Sequence, residues 1–314
     1  MNIFSSIFGV GVRARNALYD NGTVGARSLQ GPVVSVGNLS VGGSGKTPFV
    51  LLLGELLTAR GVQFDILSRG YGREKRGVAR VDPGGSSRDF GDEPLLLARR
   101  LNVPVVVGED RYEAGVFAEK HFGPQLHLLD DGFQHRALAR DFDIVLVTPE
   151  DARDRLLPSG RLREPLKSLS RADAVVLTSG ASPESFPVDG KLIWRVRRGI
   201  SLTTVPARPV VFCGIARPQN FLLQLRTAGI EPVAQALYRD HHAYTEMDIQ
   251  DLLKLRQQSD GEGFVTTEKD AINLGGYLQA LQPLAVIPVK MELVDAANAV
   301  DTMLRIIAER RRVA

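Results

Sequence analysis

Short apolar runs recur along the first half of the chain, separated by stretches of helical period. The runs at 33–36, 64–67, 103–107, 126–129, 143–147 and 174–177 are bounded by turn-forming or acidic residues, the pattern of buried parallel strands. Between the first two, residues 47–60 carry Leu51, Leu52, Leu56 and Leu57 at helical spacing, which predicts a helix with that face inward. Ahead of the strands, residues 2–19 place Phe4, Ile7 and Phe8 on one face and follow them with Arg13 and Arg15. That stretch reads as a short amphipathic helix.

The rhythm changes near residue 180. A Ser/Pro-rich loop at 179–187 leads into 190–206, whose loose alternation suits a β-ribbon. A second α/β series then begins at 210–213 and continues with a helix at 218–228, strands at 263–267 and 284–288, and a helix over 293–311. The predicted organisation is a helix in 1–24, a nucleotide-binding unit in 25–185, a ribbon linker in 186–206 and a C-terminal α/β unit in 207–314.

Composition narrows the class. Apolar residues make up 44% and charged residues 24% of 314 residues, as expected of a folded globular protein. Charge is nearly balanced at +3, which gives no warrant for a nucleic-acid partner, and nothing points to an obligate protein partner. The single cysteine, Cys213, lies in an apolar run; alone it can form neither an intramolecular disulfide nor a cysteine-based zinc site, and it reads as a small core residue. No apolar run reaches the length of a membrane-spanning helix, and the N-terminus lacks a secretory signal pattern. The basic end at 310–312 reads as a solvated helix terminus.

The candidate chemistry starts at Ser40-Val-Gly-Gly-Ser-Gly-Lys46-Thr47. A nucleotide's phosphates need converging backbone N–H groups, a helix N-terminus behind them and a cation at the outer phosphates. Gly42, Gly43 and Gly45 clear that space, Lys46 reaches the β- and γ-phosphates, and the Thr47 hydroxyl can ligate magnesium. Ser40 stands where the common spacing has glycine, so the loop is a variant.

Two acidic segments accompany it. The run 126–129 ends in Asp130 and Asp131, placed to hold magnesium if the strand joins the same sheet; the lesser alternative has Asp131 starting a helix. Gly91-Asp92-Glu93-Pro94 admits two readings, Asp92 as a helix cap or Asp92 as a base with Glu93 as a metal ligand. Arg111 and Arg163 lie in loops, where arginines are solvated unless they serve phosphate oxygens. Asp240-His-His-Ala-Tyr244 offers a histidine that could work with a carboxylate.

These segments, with Ser68-Arg-Gly-Tyr-Gly72, Asp130-Asp-Gly-Phe-Gln-His135, Leu157-Pro-Ser-Gly-Arg-Leu-Arg-Glu-Pro165 and Thr266-Thr-Glu-Lys-Asp270, resemble the tetraacyldisaccharide 4'-kinase (lipid A 4'-kinase) family over residues 30–275. The resemblance implies a P-loop NTPase-like α/β/α sandwich joined by a β-ribbon to a second, smaller α/β/α domain, with the site in the cleft between them. It implies transfer of the γ-phosphate of ATP to the 4'-hydroxyl of a tetraacylated glucosamine disaccharide 1-phosphate, the lipid A precursor, at the cytoplasmic face of a bacterial inner membrane.

Carried over residue by residue, Asp92 is the base, helped by His241, with Lys46 and Arg163 also in the catalytic set. ATP is held by Ser40, Val41, Gly42, Gly43, Ser44, Gly45, Lys46 and Thr47. Mg2+ is held by Thr47, Glu93, Asp130 and Asp131. Substrate or phosphate is bound by Arg111, Arg163, Gln134 and His135, and residues 268–270 line the nucleotide or interdomain surface. A competing class is a nucleotide-hydrolysing switch or metallochaperone; the chain lacks the second lysine ahead of the glycines that dimeric switches of this kind often carry.

Overall fold

The computed structural model describes residues 3–201 and 204–313. Met1, Asn2, Leu202, Thr203 and Ala314, on which parts of the expected helix, ribbon and C-terminal unit fall, lie outside the described residues. The chain runs α1 (Ile3–Asp20), β1 (Val33–Asn38), α2 (Lys46–Thr58), β2 (Phe64–Ser68), β3 (Ala79–Arg80), α3 (Ser87–Phe90), α4 (Asp92–Leu101), β4 (Val105–Val107), α5 (Arg111–Phe122), β5 (Leu126–Asp130), β6 (Phe142–Val147), β7 (Ala174–Leu177) and β8 (Leu192–Ile200). It continues as β9 (Pro209–Cys213), α6 (Pro218–Thr227), β10 (Ala234–Leu237), α7 (Glu246–Gln258), β11 (Gly263–Thr267), α8 (Glu268–Leu274), β12 (Leu284–Ile287), β13 (Val289–Leu293) and α9 (Ala296–Val313).

Among the described residues the strands form two sheets, of nine strands in the order β13-β8-β7-β6-β1-β5-β2-β4-β3 and of four in the order β10-β9-β11-β12. The large sheet is parallel from β4 to β8, and β3 and β13 are antiparallel edges. Every residue of β1, β5 and β6 is buried, as strands covered on both faces must be. Along β6, Ile144 and Leu146 join one core with Phe49 and Leu53 of α2, while Val145 and Val147 join another on the opposite face. The two-residue period therefore assigns side chains to layers.

β1 lies between β5 and β6, so its chain leaves the sheet beside the ends of β5 and β2. The loops after those three strands converge at the carboxyl edge, where open parallel sheets bind ligands. The four-stranded sheet is parallel throughout. Val210, Phe212 and Phe264 pack on one side of it, and Val211, Cys213 and Val265 on the other. Cys213 is fully buried, and burial pushes its thiol up to about 12, consistent with an inert core role.

Two expectations change. β8 is not a free linker: it pairs with β7 on one side and β13 on the other, because Trp194 and Val196 have apolar surface to bury in the α2 core. The Trp194 ring centroid lies 6.4 Å from that of Phe49 and 6.1 Å from that of Phe142. The expected unit 207–314 also does not pack as one body. Met291, Leu293, Val300, Met303 and Ile307 belong to the large-sheet core, so the chain returns to the first sheet after Ile287. The basic end is not merely solvated, since Arg310 pairs with Asp173 at 2.6 Å and Arg311 with Asp141 at 2.6 Å.

Helix α1 lies against the loop 155–164. Asn16 donates to the buried Glu164 carboxylate at 2.7 Å and the Ser5 hydroxyl donates to Ser159 at 2.7 Å. Gly9 and Asn16 are buried on that side. The bulkier apolar residues face away, with Phe4 65%, Ile7 66% and Val10 56% exposed.

Candidate active site

The loop after β1 wraps a cavity of about 440 Å³ between the two sheets. Gly43 and Gly45 have φ of 62° and 87°, the left-handed region that side chains resist. A Cβ on Gly43 would also lie 2.7 Å from Arg217 Cγ of the opposite wall. Gly45 caps α2, whose first residue is Lys46. The Lys46 ammonium donates to Asn38 Oδ1 at 3.0 Å and stands 3.4 Å from Asp131 Oδ1. Asn38, buried within β1, also receives Arg163 on that oxygen and Gln134 on its carbonyl, the latter at 2.9 Å. One amide thus fixes both cations.

β5 ends in the acidic pair. Asp131 turns out of the strand with φ 49°; it does not start a helix. Its carboxylate accepts both arms of the Arg163 fork, at 3.0 and 2.8 Å. Burial pushes Asp131 up, but the Lys46 and Arg163 cations outweigh it and hold the carboxyl well below the usual range. Asp130 is the opposite case. Burial first, then the Glu93 and Asp131 charges, push it up to about 7. Its Oδ2 accepts from Ser68 at 3.2 Å, while its buried Oδ1 has no hydrogen-bond partner among the described residues.

Gly91, not Asp92, is the residue ahead of α4, and Asp92 is its first helical residue. Asp92 Oδ1 still accepts the Glu93 backbone N–H at 2.8 Å. Its Oδ2 meets His241 Nδ1 at 2.8 Å across 149 residues of sequence. Burial opposes ionisation of Asp92, yet His241 and the Lys269 charge bring it down to about 2. His241 is raised, chiefly by that hydrogen bond. It lines the cavity with Tyr71 beside it at 5.5 Å between ring centroids, whereas Asp92, 5% exposed, stands behind. Glu93 forms an ion pair with Lys269, which reaches over from α8. Burial works against the charge on Glu93, but Lys269 outweighs it and lowers the carboxyl.

Of the residues singled out in the sequence, Val41 to Thr47, Glu93, Asp130, Asp131, Arg163 and His241 line one cavity. Others stand behind its wall. Ser40 is buried in the loop's base. Arg111 is buried with its guanidinium on the Glu109 carbonyl at 3.0 Å, and burial together with Arg69 brings it down to about 10. Gln134 braces Asn38. His135 is partly buried, brought down to about 4 by burial and by Arg111, with an unpartnered Nε2.

Sequence reading missed Asn38, Arg198 and Arg217. Asn38 carried one signal, an amide close behind a largely apolar run. Lys269 lay in a motif assigned only to a surface; Glu268 and Lys269 do line the cavity, while Asp270 is buried and accepts from Tyr244 at 2.8 Å. Among the described residues no three His, Cys, Asp or Glu side chains form a ready-made metal cage.

Residues 1–308 match the family model described as tetraacyldisaccharide-1-P 4'-kinase. The chain is 52% identical to a tetraacyldisaccharide 4'-kinase of Koribacter versatilis, over 99% of this chain and 100% of that one. It is 40% identical to the tetraacyldisaccharide 4'-kinase of Aquifex aeolicus over 87% and 89% of the two. The structure of the "apo" form of LpxK from Aquifex aeolicus in complex with ATP superposes with a TM-score of 0.80 at 37% identity, covering 97% of each chain. A cleft that brings a phosphate loop, paired carboxylates and a carboxylate–imidazole pair together thus belongs to a chain of known kin: the protein is a member of the tetraacyldisaccharide-1-P 4'-kinase family.

Proposed function

We propose that this chain transfers the γ-phosphate of ATP to the 4'-hydroxyl of a tetraacylated glucosamine disaccharide 1-phosphate. The observation that carries the reading is the 2.8 Å contact between Asp92 and His241 beside the Lys46 loop. A carboxylate–imidazole pair at a phosphate cradle suits an acceptor hydroxyl that must lose a proton as its oxygen attacks phosphorus. The roles expected of the pair exchange, because His241 lines the cavity and Asp92 is buried behind it: His241 Nε2 takes the hydroxyl proton while Asp92 orients the ring and stabilises the imidazolium. The oxygen–γ-phosphorus bond forms as the bond to ADP breaks. Lys46 and Arg163 neutralise charge on the transferred group.

Mg2+ fits this donor set. The buried Asp130 oxygen without a partner, and the rise of that carboxyl to about 7, are what a carboxylate cluster lacking its cation produces. Asp130 would hold the ion with the Thr47 hydroxyl, and Glu93 and Asp131 would complete its surroundings. Magnesium characteristically takes one or two carboxylates plus substrate phosphates. When bound it screens the β- and γ-phosphate oxygens.

Among the described residues no helix is long and apolar enough to cross a membrane. The acceptor's acyl chains nevertheless require a meeting at a bilayer. We place that contact on α1, whose polar and small residues face the protein, with Arg15 held on the Gln134 carbonyl, while Phe4, Ile7, Val10 and Arg13 are exposed. The surface would be the cytoplasmic face of the inner membrane.

The test is incubation of the protein with Mg-ATP labelled in the γ-position and the disaccharide 1-phosphate lipid. Label on the non-reducing sugar at the 4' position is the expected result. Release of inorganic phosphate alone, with unmodified lipid, would replace this reading with a nucleotide switch.

A further inference from the structure

Arg198 sits on β8 directly opposite Met291 of β13. Residues facing each other in an antiparallel pair project to the same side of the sheet. Met291 points at the phosphate loop, since a Cβ on Gly45 would lie 3.2 Å from its Cε. Val289, two residues before Met291 and on the same face, lines the cavity together with Arg198. The ribbon therefore forms a floor under the loop, and that floor carries one arginine.

That arginine has no counter-ion. Among the described residues the Arg198 side chain makes no hydrogen bond or ion pair, and its Nε is buried without a partner. Burial, and then the neighbouring Arg217, depress its pKa. Arg217 differs, because it is paired with Glu150 at 2.9 Å. A partly buried cation facing another cation and no anion is costly unless an anion arrives.

The loop has a matching shortage. A helix start leaves its first N–H groups free for an anion. The Phe49 N–H makes the first intrahelical bond, to the Gly45 carbonyl at 3.1 Å, so the free positions are Gly45 to Pro48. Pro48 has no N–H, which leaves three donors where a helix start ordinarily offers four. Lys46's side chain is held on Asn38 and Asp131, so it does not replace the donor missing at Pro48.

We propose that Arg198 is a nucleotide-binding residue that engages the α- and β-phosphates, in place of the donor that Pro48 lacks. This rests on the reading of the cavity as an ATP site. Three consequences separate it from a packing role. Arg198→Gln raises the KM for ATP about 10- to 100-fold, the worth of a charge-assisted hydrogen bond, with kcat changed by less than about threefold. ADP affinity falls by the same factor as ATP affinity, because the contact lies on phosphates the two share. Nucleotide-free Arg198→Met melts no lower than the wild type, since it loses an unpaired charge. Arg198→Lys recovers part of the affinity and guards against a folding defect.

The experiment is calorimetric binding of Mg-ATP and Mg-ADP, steady-state kinetics and melting for the wild type and these variants. Unchanged nucleotide affinity in a folded Arg198→Gln overturns the assignment. So does a loss confined to ATP, which would move the contact to the γ-phosphate, or a lower melting point with unchanged KM, which would make Arg198 a packing residue. Failure of the wild type to bind either nucleotide would sink the ATP-site reading and this one together.

Discussion

Two regions of the cleft, both on the large sheet, differ in how their charges are settled. Beside the phosphate loop the cations are committed before any ligand arrives: Lys46 and Arg163 share Asp131 and Asn38. On the β8–β13 ribbon at the sheet's edge, Arg198 faces the same loop with no partner among the described residues. The first arrangement is rigid and preorganised, which is what stabilising charge in a transition state requires. The second stores an unsatisfied charge that an incoming anion relieves, which serves binding. Changes to the paired cations should therefore act on turnover, and changes on the ribbon should act on affinity.

The largest expected effect is at Lys46. Lys46→Ala should lower turnover by about 10²–10³, the usual loss when one electrostatic contact to the transition state is removed, with melting little changed because Arg163 still holds Asp131. Turnover measured beside a melting curve checks it, and a folded variant with most of its activity would dissolve the contrast between the two regions.

Next is the pH profile. In the proposed mechanism the base is neutral His241, and the Asp92 hydrogen bond raises its pKa above the ordinary histidine value. Activity should then fall as pH drops through that raised value. In Asp92→Asn the imidazolium loses its stabilising carboxylate, so the acid limb should move to lower pH while maximal turnover falls by about 10² or more. Rate profiles of the two proteins decide it; an acid limb that stays in place would detach Asp92 from the proton.

Smaller effects are expected away from the cleft. Deleting residues 2–12 should weaken flotation with anionic liposomes and leave nucleotide binding intact. Unchanged flotation would make α1 a packing helix only. Replacing Arg310 and Arg311 with alanine loosens the tie of α9 to Asp173 and Asp141. Partly exposed pairs contribute about 0–1 kcal/mol each, so a differential scan should show a fall of only about 1–3 °C.

What was legible in the sequence was local. The phosphate loop declares itself because glycines, lysine and the following helix are contiguous, and Asp130 because a buried strand runs straight into it. The Asp92–His241 pair is 149 residues apart and came from family resemblance; the residues alone left Asp92 open between cap and base. The pairing of β8 with β13 was hidden because register between distant strands depends on which apolar residues the α2 core can still accept. The destination of α9 was hidden for the same reason, its apolar stripe fitting either sheet equally well on paper. Arg198 was invisible, since nothing in a string of residues distinguishes a solvated arginine from an unpaired one facing a cavity.

The central claim is that one wall supplies Asp92, the other supplies His241, and the two act as a single base. A double-mutant cycle in single-turnover transfer to the lipid acceptor tests it most directly. If the claim holds, Asp92→Ala, His241→Ala and the double variant lose activity by nearly the same factor, because either change alone disables the pair. Losses that multiply in the double variant would mean two independent contributions and would contradict the account.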